Sequence, residues 1–147
     1  MIDYALDETD AIAARIAAVL RPGDVIGLSG DLGAGKTTLA RGMLRALGLV
    51  GEAPSPTFAI VQYYDPPDVA LPVAHVDLYR VDDAAALAEL GLDEARAAGA
   101  MLIEWPQRMG NAAWDDMVWL HIDRHGDDAR RLTWRLPRGW KDRWPLP

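Results

Sequence analysis

The residues best suited to chemistry lie in one run. Gly30, Asp31, Leu32, Gly33, Ala34, Gly35, Lys36 and Thr37 match G-x-x-x-x-G-K-[ST], with Thr38 following. This is the pattern of a loop that wraps a phosphate chain. Its glycines let successive backbone N–H groups turn inward with no Cβ in the way. Lys36 supplies a mobile positive charge for the β- and γ-phosphates, and the Thr37 hydroxyl suits Mg²⁺. A helix starting here adds its free N-terminal N–H groups and the positive end of its dipole. An ordinary glycine-rich turn is the bland alternative, but the apolar stretch before the loop and the helical pattern after it argue against that.

A phosphate loop that works as an enzyme needs an acid to help hold Mg²⁺ and a group to order the attacking water. Two acids follow apolar stretches: Asp77 after Val73–Val76 and Glu104 after Met101–Ile103. Either could be the metal's acid or a solvated carboxylate at a strand end. Glu104 is the stronger match to an apolar strand ending in an acid. His75 alternates in phase with Asp77, so both should point the same way. It reads either as a hydrogen-bonding partner of the site or as an ordinary half-buried histidine. It is no metal site by itself, because His121 and His125 belong to a distant hairpin. Thr57 lies where nucleotide hydrolases often carry a residue that senses the γ-phosphate. Trp105 could stack on a base or cover the core. Arg80 and Arg108 are candidate cationic groups, and no N-K-x-D sequence selects guanine.

The elements that must position these groups follow from periodicity. Asp7–Leu20 reads as a helix, with Ile12, Ile16, Val19 and Leu20 on one face and Asp7 or Thr9 as its cap. Val25–Ser29 is a buried strand and Thr38–Leu47 a helix. Gly51–Thr57 is a proline-shaped loop. Phe58–Tyr64 and Leu71–Asp77 read as strands of a hairpin joined through Asp65–Asp68. Ala84–Glu89 and Leu92–Ala98 are short helices, and Ala100–Ile103 is a buried strand leading to Glu104. Asn111–Asp116 is a link or short helix. Val118–Ile122 and the alternation of Leu132, Trp134 and Leu136 give an antiparallel hairpin at the end of the sheet.

The sum is an α/β fold of the P-loop NTPase kind. A mixed, mainly parallel sheet is flanked by helices and finished by a C-terminal antiparallel hairpin, in one domain over residues 1–147. Ligands of such sheets collect beyond the strand C-termini, which puts the phosphate loop, Asp77 and Glu104 on one rim.

Composition narrows the setting. The formal net charge of −7 is unsuited to unaided binding of nucleic acid or anionic membrane. Lys36 and Lys141 are the only lysines, and one of them sits in the phosphate loop. There is no cysteine, so disulfides and thiolate metal sites are excluded. No signal peptide and no membrane-length apolar run is seen, so a soluble, cytoplasmic protein is expected.

Four stretches in order, Gly30–Thr38, Ser55-Pro-Thr-Phe58, His75-Val-Asp-Leu-Tyr-Arg80 and Ile103-Glu-Trp-Pro106, resemble the TsaE family. These are small bacterial P-loop ATPases that take part in making threonylcarbamoyladenosine in tRNAs reading ANN codons. The resemblance spans nearly the whole chain and leaves only the terminal hairpin and tail without a motif. It implies ATP and Mg²⁺ as ligands, with Lys36 on the phosphates and Thr37 on the metal. Asp77 and Glu104 would lie near the metal or its water, Thr57 in a loop responding to nucleotide state, and Trp105 beside the nucleotide. It further implies a weak ATPase acting on a complex of TsaD and TsaB, with tRNA met only through that complex and no membrane involved. Gln107 stands where many members have Glu. The competing readings are a P-loop kinase of a small molecule or protein, and a nucleotide-dependent binding module without useful turnover.

Overall fold

The computed structural model describes residues 1–53 and 60–147. Among these residues seven strands form one sheet: β1 (Ile2–Ala5), β2 (Val25–Ser29), β3 (Val61–Tyr64), β4 (Val73–Asp77), β5 (Ala100–Glu104), β6 (Val118–Arg124) and β7 (Ala129–Arg135), in the order β1-β7-β6-β2-β5-β4-β3. The central four, β6, β2, β5 and β4, pair in parallel, while β3, β7 and β1 join antiparallel. The fold class expected from the sequence is therefore observed, including the β3–β4 and β6–β7 hairpins.

Burial explains why the centre is parallel. Every residue of β4 and β5 is buried, as strands covered on both faces must be. On one face, Ile26, Leu28, Leu102 and Leu120 pack with helices α1 (Thr9–Ala17) and α2 (Lys36–Ala46). On the other, Val25, Val76, Met101 and Ile103 pack with α3 (Ala84–Ala88) and α4 (Leu92–Ala98). Alternation along each strand assigns the faces. Helices α1 and α2 approach closely at Gly42, where a Cβ would lie 2.8 Å from that of Ala13.

Several boundaries differ from the sequence expectation. The first helix opens as a 3₁₀ turn over Leu6–Glu8 and ends at Ala17. Its cap is neither Asp7 nor Thr9; Glu8 instead accepts from the Ala5 N–H at 2.8 Å, and the Thr9 hydroxyl donates back to the Leu6 carbonyl. The second helix begins two residues earlier, at Lys36, since Gly35 turns the loop directly into it. A 3₁₀ segment kinked at Gly110 occupies Pro106–Ala112 and overlaps the expected link at Asn111 and Ala112. The C-terminal hairpin is not the edge of the sheet, because β1 pairs outside β7, Ile2 opposite Leu132. Four residues near the start were too few to show a strand by alternation. Thr57, Phe58 and the Ser55–Phe58 motif lie outside the described residues.

Candidate functional site

Strand β2 delivers the chain to the sheet's C-terminal rim, where the phosphate loop begins. Gly30 turns with φ +143°, and a Cβ there would lie 2.4 Å from the Ile122 carbonyl oxygen of β6. Only glycine fits that approach. Gly35, at φ +111°, then turns the loop into α2. Lys36 is buried and folded back on the loop, donating from Nζ to the carbonyls of Gly30 at 2.6 Å and Asp31 at 2.9 Å. Its ammonium also lies 4.2 Å from the Trp105 ring centroid. Burial pushes the Lys36 amine below the usual lysine range, while Glu104, Asp77 and Asp31 pull it back up.

The two carboxylates come from neighbouring strands. Asp77 ends β4, Glu104 ends β5, and their Cα atoms are register partners. Both stand on the face covered by α2, because they are in phase with His75 and Leu102. The parallel strand spacing of about 4.8 Å thus sets two acids side by side under the first turn of α2. Both are almost fully buried, Asp77 at 8% exposure and Glu104 at 2%. The Thr37 hydroxyl donates to Glu104 Oε1 at 2.6 Å, and His75 Nε2 lies 2.7 Å from Glu104 Oε2. Asp77 Oδ1 accepts from the Tyr79 N–H at 2.9 Å. His75 is completely buried, not half-buried.

Trp105 follows Glu104 in the left-handed region, at φ +61° and ψ +49°. For a tryptophan that conformation costs on the order of 1–3 kcal/mol. It swings the indole across the rim, over Lys36 and against Tyr79, 4.9 Å between ring centroids. Arg108 in turn lies 5.9 Å from the Tyr79 centroid.

Together Leu32, Gly33, Gly35, Lys36, Thr37, Thr38, Asp77, Tyr79, Arg80, Glu104 and Trp105 line a cavity of about 300 Å³. Residues from three of the four stretches are thereby gathered; Gly30, Asp31 and Ala34 of the loop do not line the cavity, Arg108 lines the larger one, and Thr57 lies outside the described residues. A larger cavity of about 900 Å³ is bounded by α3, α4 and the 3₁₀ segment. It includes no phosphate-loop residue, neither carboxylate and not Trp105, so the chemistry and not the size marks the site. Among the described residues, no three His, Cys, Asp or Glu side chains are gathered to hold a metal. A pair of carboxylates with a hydroxyl suits Mg²⁺, a hard cation that takes one or two carboxylates and completes its shell with phosphate oxygens and water.

Two further residues reach the loop from the C-terminal hairpin. Buried Arg130 donates from Nε to the Ala34 carbonyl at 2.8 Å, and Arg124 reaches the Gly33 carbonyl at 3.4 Å. By engaging outward-turned carbonyls they help fix the loop with its N–H groups free to turn inward. Sequence reading missed both, since nothing local to β6 or β7 points at a loop some ninety residues earlier. Their clue was only that arginines cluster in an otherwise acidic chain.

Known proteins resemble this chain in sequence and in fold. Residues 4–132 match the family described as "Threonylcarbamoyl adenosine biosynthesis protein TsaE". The chain is 42% identical over 128 residues to the tRNA threonylcarbamoyladenosine biosynthesis protein TsaE of Bacillus subtilis, covering 86% of this chain and 78% of that protein. It is 37% identical to the protein of the same name from Streptomyces coelicolor, over 88% of this chain and 89% of the relative. The crystal structure of Bacillus subtilis YdiB superposes with a TM-score of 0.78 at 34% identity, covering 96% of this chain and 88% of that one. With the phosphate loop, the strand-end carboxylates and the rim tryptophan in one cavity, and with the family match reaching from the first strand into the last, the chain belongs to the TsaE family.

Proposed function

We infer that this chain binds ATP with Mg²⁺ and hydrolyses it weakly, as a subunit required for threonylcarbamoyladenosine formation in tRNA. The observation that carries the reading is the Thr37–Glu104 hydrogen bond at 2.6 Å, beside Asp77 and directly after the phosphate loop. It joins the residues of a phosphate site to those of a Mg²⁺ site.

Each group then has a defined task. The N–H groups of the loop and of the α2 N-terminus receive the phosphate chain. Lys36 would turn from the Gly30 and Asp31 carbonyls to meet the β- and γ-phosphates with its ammonium. Thr37, Asp77 and Glu104 would hold Mg²⁺, which would supply charge neutralisation at the phosphates. Whichever carboxylate lies nearer the attacking water orients it and accepts its proton. Trp105 and Tyr79 form an aromatic wall beside the nucleotide. Thr57 belongs to the segment that responds to the γ-phosphate.

The partner is the TsaD–TsaB complex, and tRNA is engaged only through it. A net charge of −7 favours that arrangement over direct tRNA binding. The test is ATP hydrolysis at fixed Mg²⁺, with and without purified TsaD–TsaB. Strong stimulation is the expected result. Absence of stimulation by a partner complex shown to be active, with ATP binding intact, would overturn the reading and favour a kinase or a binding switch.

A further inference from the structure

We propose that His75 is a positioning residue: its Nε2–H holds Glu104 Oε2 so that the other carboxylate oxygen faces Thr37 and the Mg²⁺ position. The proposal rests on the Mg²⁺–ATP reading above and deepens it.

His75 sits in the middle of β4, between Gln62 of β3 and Leu102 of β5. Its ring is fully buried and in phase with Asp77. Nε2 lies 2.7 Å from Glu104 Oε2, while Nδ1 has no hydrogen-bond partner among the described residues. A carboxylate only accepts, so the network assigns the proton of this contact to Nε2. Glu104 Oε1 is meanwhile taken by the Thr37 hydroxyl at 2.6 Å. One carboxylate oxygen therefore faces the fold and the other the phosphate loop. A glutamate has three side-chain torsions, and burial alone does not choose among its rotations. The histidine chooses, because turning the carboxylate would break the buried Nε2 contact. Groups that orient a metal ligand in this way typically contribute about 10–100-fold to metal affinity or activity.

A core histidine retained only for packing has the same burial but no preference for one ring nitrogen. The test uses that difference. The amide nitrogen of Gln extends to the place of Nε2, and that of Asn to the place of Nδ1. His75→Gln and His75→Asn are compared in the full chain with TsaD–TsaB, reading kcat, ATP KM and Tm. The expected result is turnover within about threefold for His75→Gln and a loss of about 10–100-fold for His75→Asn. KM should stay within about threefold for His75→Gln. Equal turnover in the two variants, whether kept or lost, would overturn the proposal.

Two further measurements keep it testable. The gain in fluorescent-ATP affinity on adding Mg²⁺ needs no turnover, and His75→Asn should reduce that gain where His75→Gln preserves it. This separates failure of the positioning role from failure of the hydrolysis reading. In a Glu104→Gln background, which already lacks the carboxylate, His75→Asn should cost no further turnover if the histidine acts only through Glu104. Additive losses there would overturn the proposal even if the single variant is poorly stable.

Discussion

Replacing Glu104 with Gln changes one oxygen to an amide in a side chain only 2% exposed. The shape is kept, so packing is nearly unaffected. The Thr37 hydroxyl can still donate to the remaining oxygen. The amide nitrogen facing His75 must donate to Nε2, which moves the ring proton to Nδ1, where the described residues offer no partner. An unpaired buried donor costs about 1–3 kcal/mol. For a chain of this size that is a fall in Tm of about 2–12 °C. The catalytic cost should be larger. Loss of one preorganised electrostatic partner of a transition state is worth about 2.7–4 kcal/mol, or roughly 10²–10³ in kcat. Nucleotide binding without Mg²⁺ should hold or tighten, because a negative charge near the phosphates has gone. The assay pairs single-turnover ATP hydrolysis at saturating Mg²⁺ with fluorescent-ATP titration in chelator, checked by thermal melts. Turnover within threefold of the parent would refute the assignment of Glu104 to metal or water. So would a collapse of chelator-insensitive binding parallel to the loss of turnover.

Lys36→Ala should remove most nucleotide affinity together with turnover, read by the same titration; unchanged hydrolysis would contradict the phosphate-loop reading. Lys36 also carries a pH signature. Its folded-state pKa is depressed by burial, so the unfolded chain binds more protons between that value and the ordinary lysine value of 10.5. Stability of the nucleotide-free protein relative to Lys36→Met should therefore rise with pH through that window and be lowest below it, as differential melts would show. Gly30→Ala places a Cβ 2.4 Å from the Ile122 carbonyl at φ +143°, and should lower both Tm and nucleotide affinity. Arg130→Met removes the Nε donor to the Ala34 carbonyl and should weaken nucleotide binding about tenfold. Affinity equal to the parent's would show that the loop holds its shape without the hairpin.

Much of the fold was legible because its signals are local. The run Val25–Ser29, the three loop glycines and Lys36–Thr37 state strand, turn and helix within a dozen residues, and backbone sterics leave few alternatives. The acids at Asp77 and Glu104 were legible for the same reason, each closing an apolar stretch. Phase along β4 placed His75 with Asp77. The strand β1 was not legible, since four residues become a strand only when β7 supplies their hydrogen bonds.

The tertiary structure decided what lies between segments. It made Asp77 and Glu104 register partners, which no spacing in the chain encodes, because register is set by the packing of both sheet faces. It resolved the two readings of His75 in favour of a contact with Glu104, twenty-nine residues away. It brought Arg130 beneath the phosphate loop and turned Trp105 back over Lys36 through a left-handed backbone. A sequence records residue types and their local periods. The direction and partner of a buried polar side chain depend on which strands become neighbours, and that is settled only when the whole sheet closes its core.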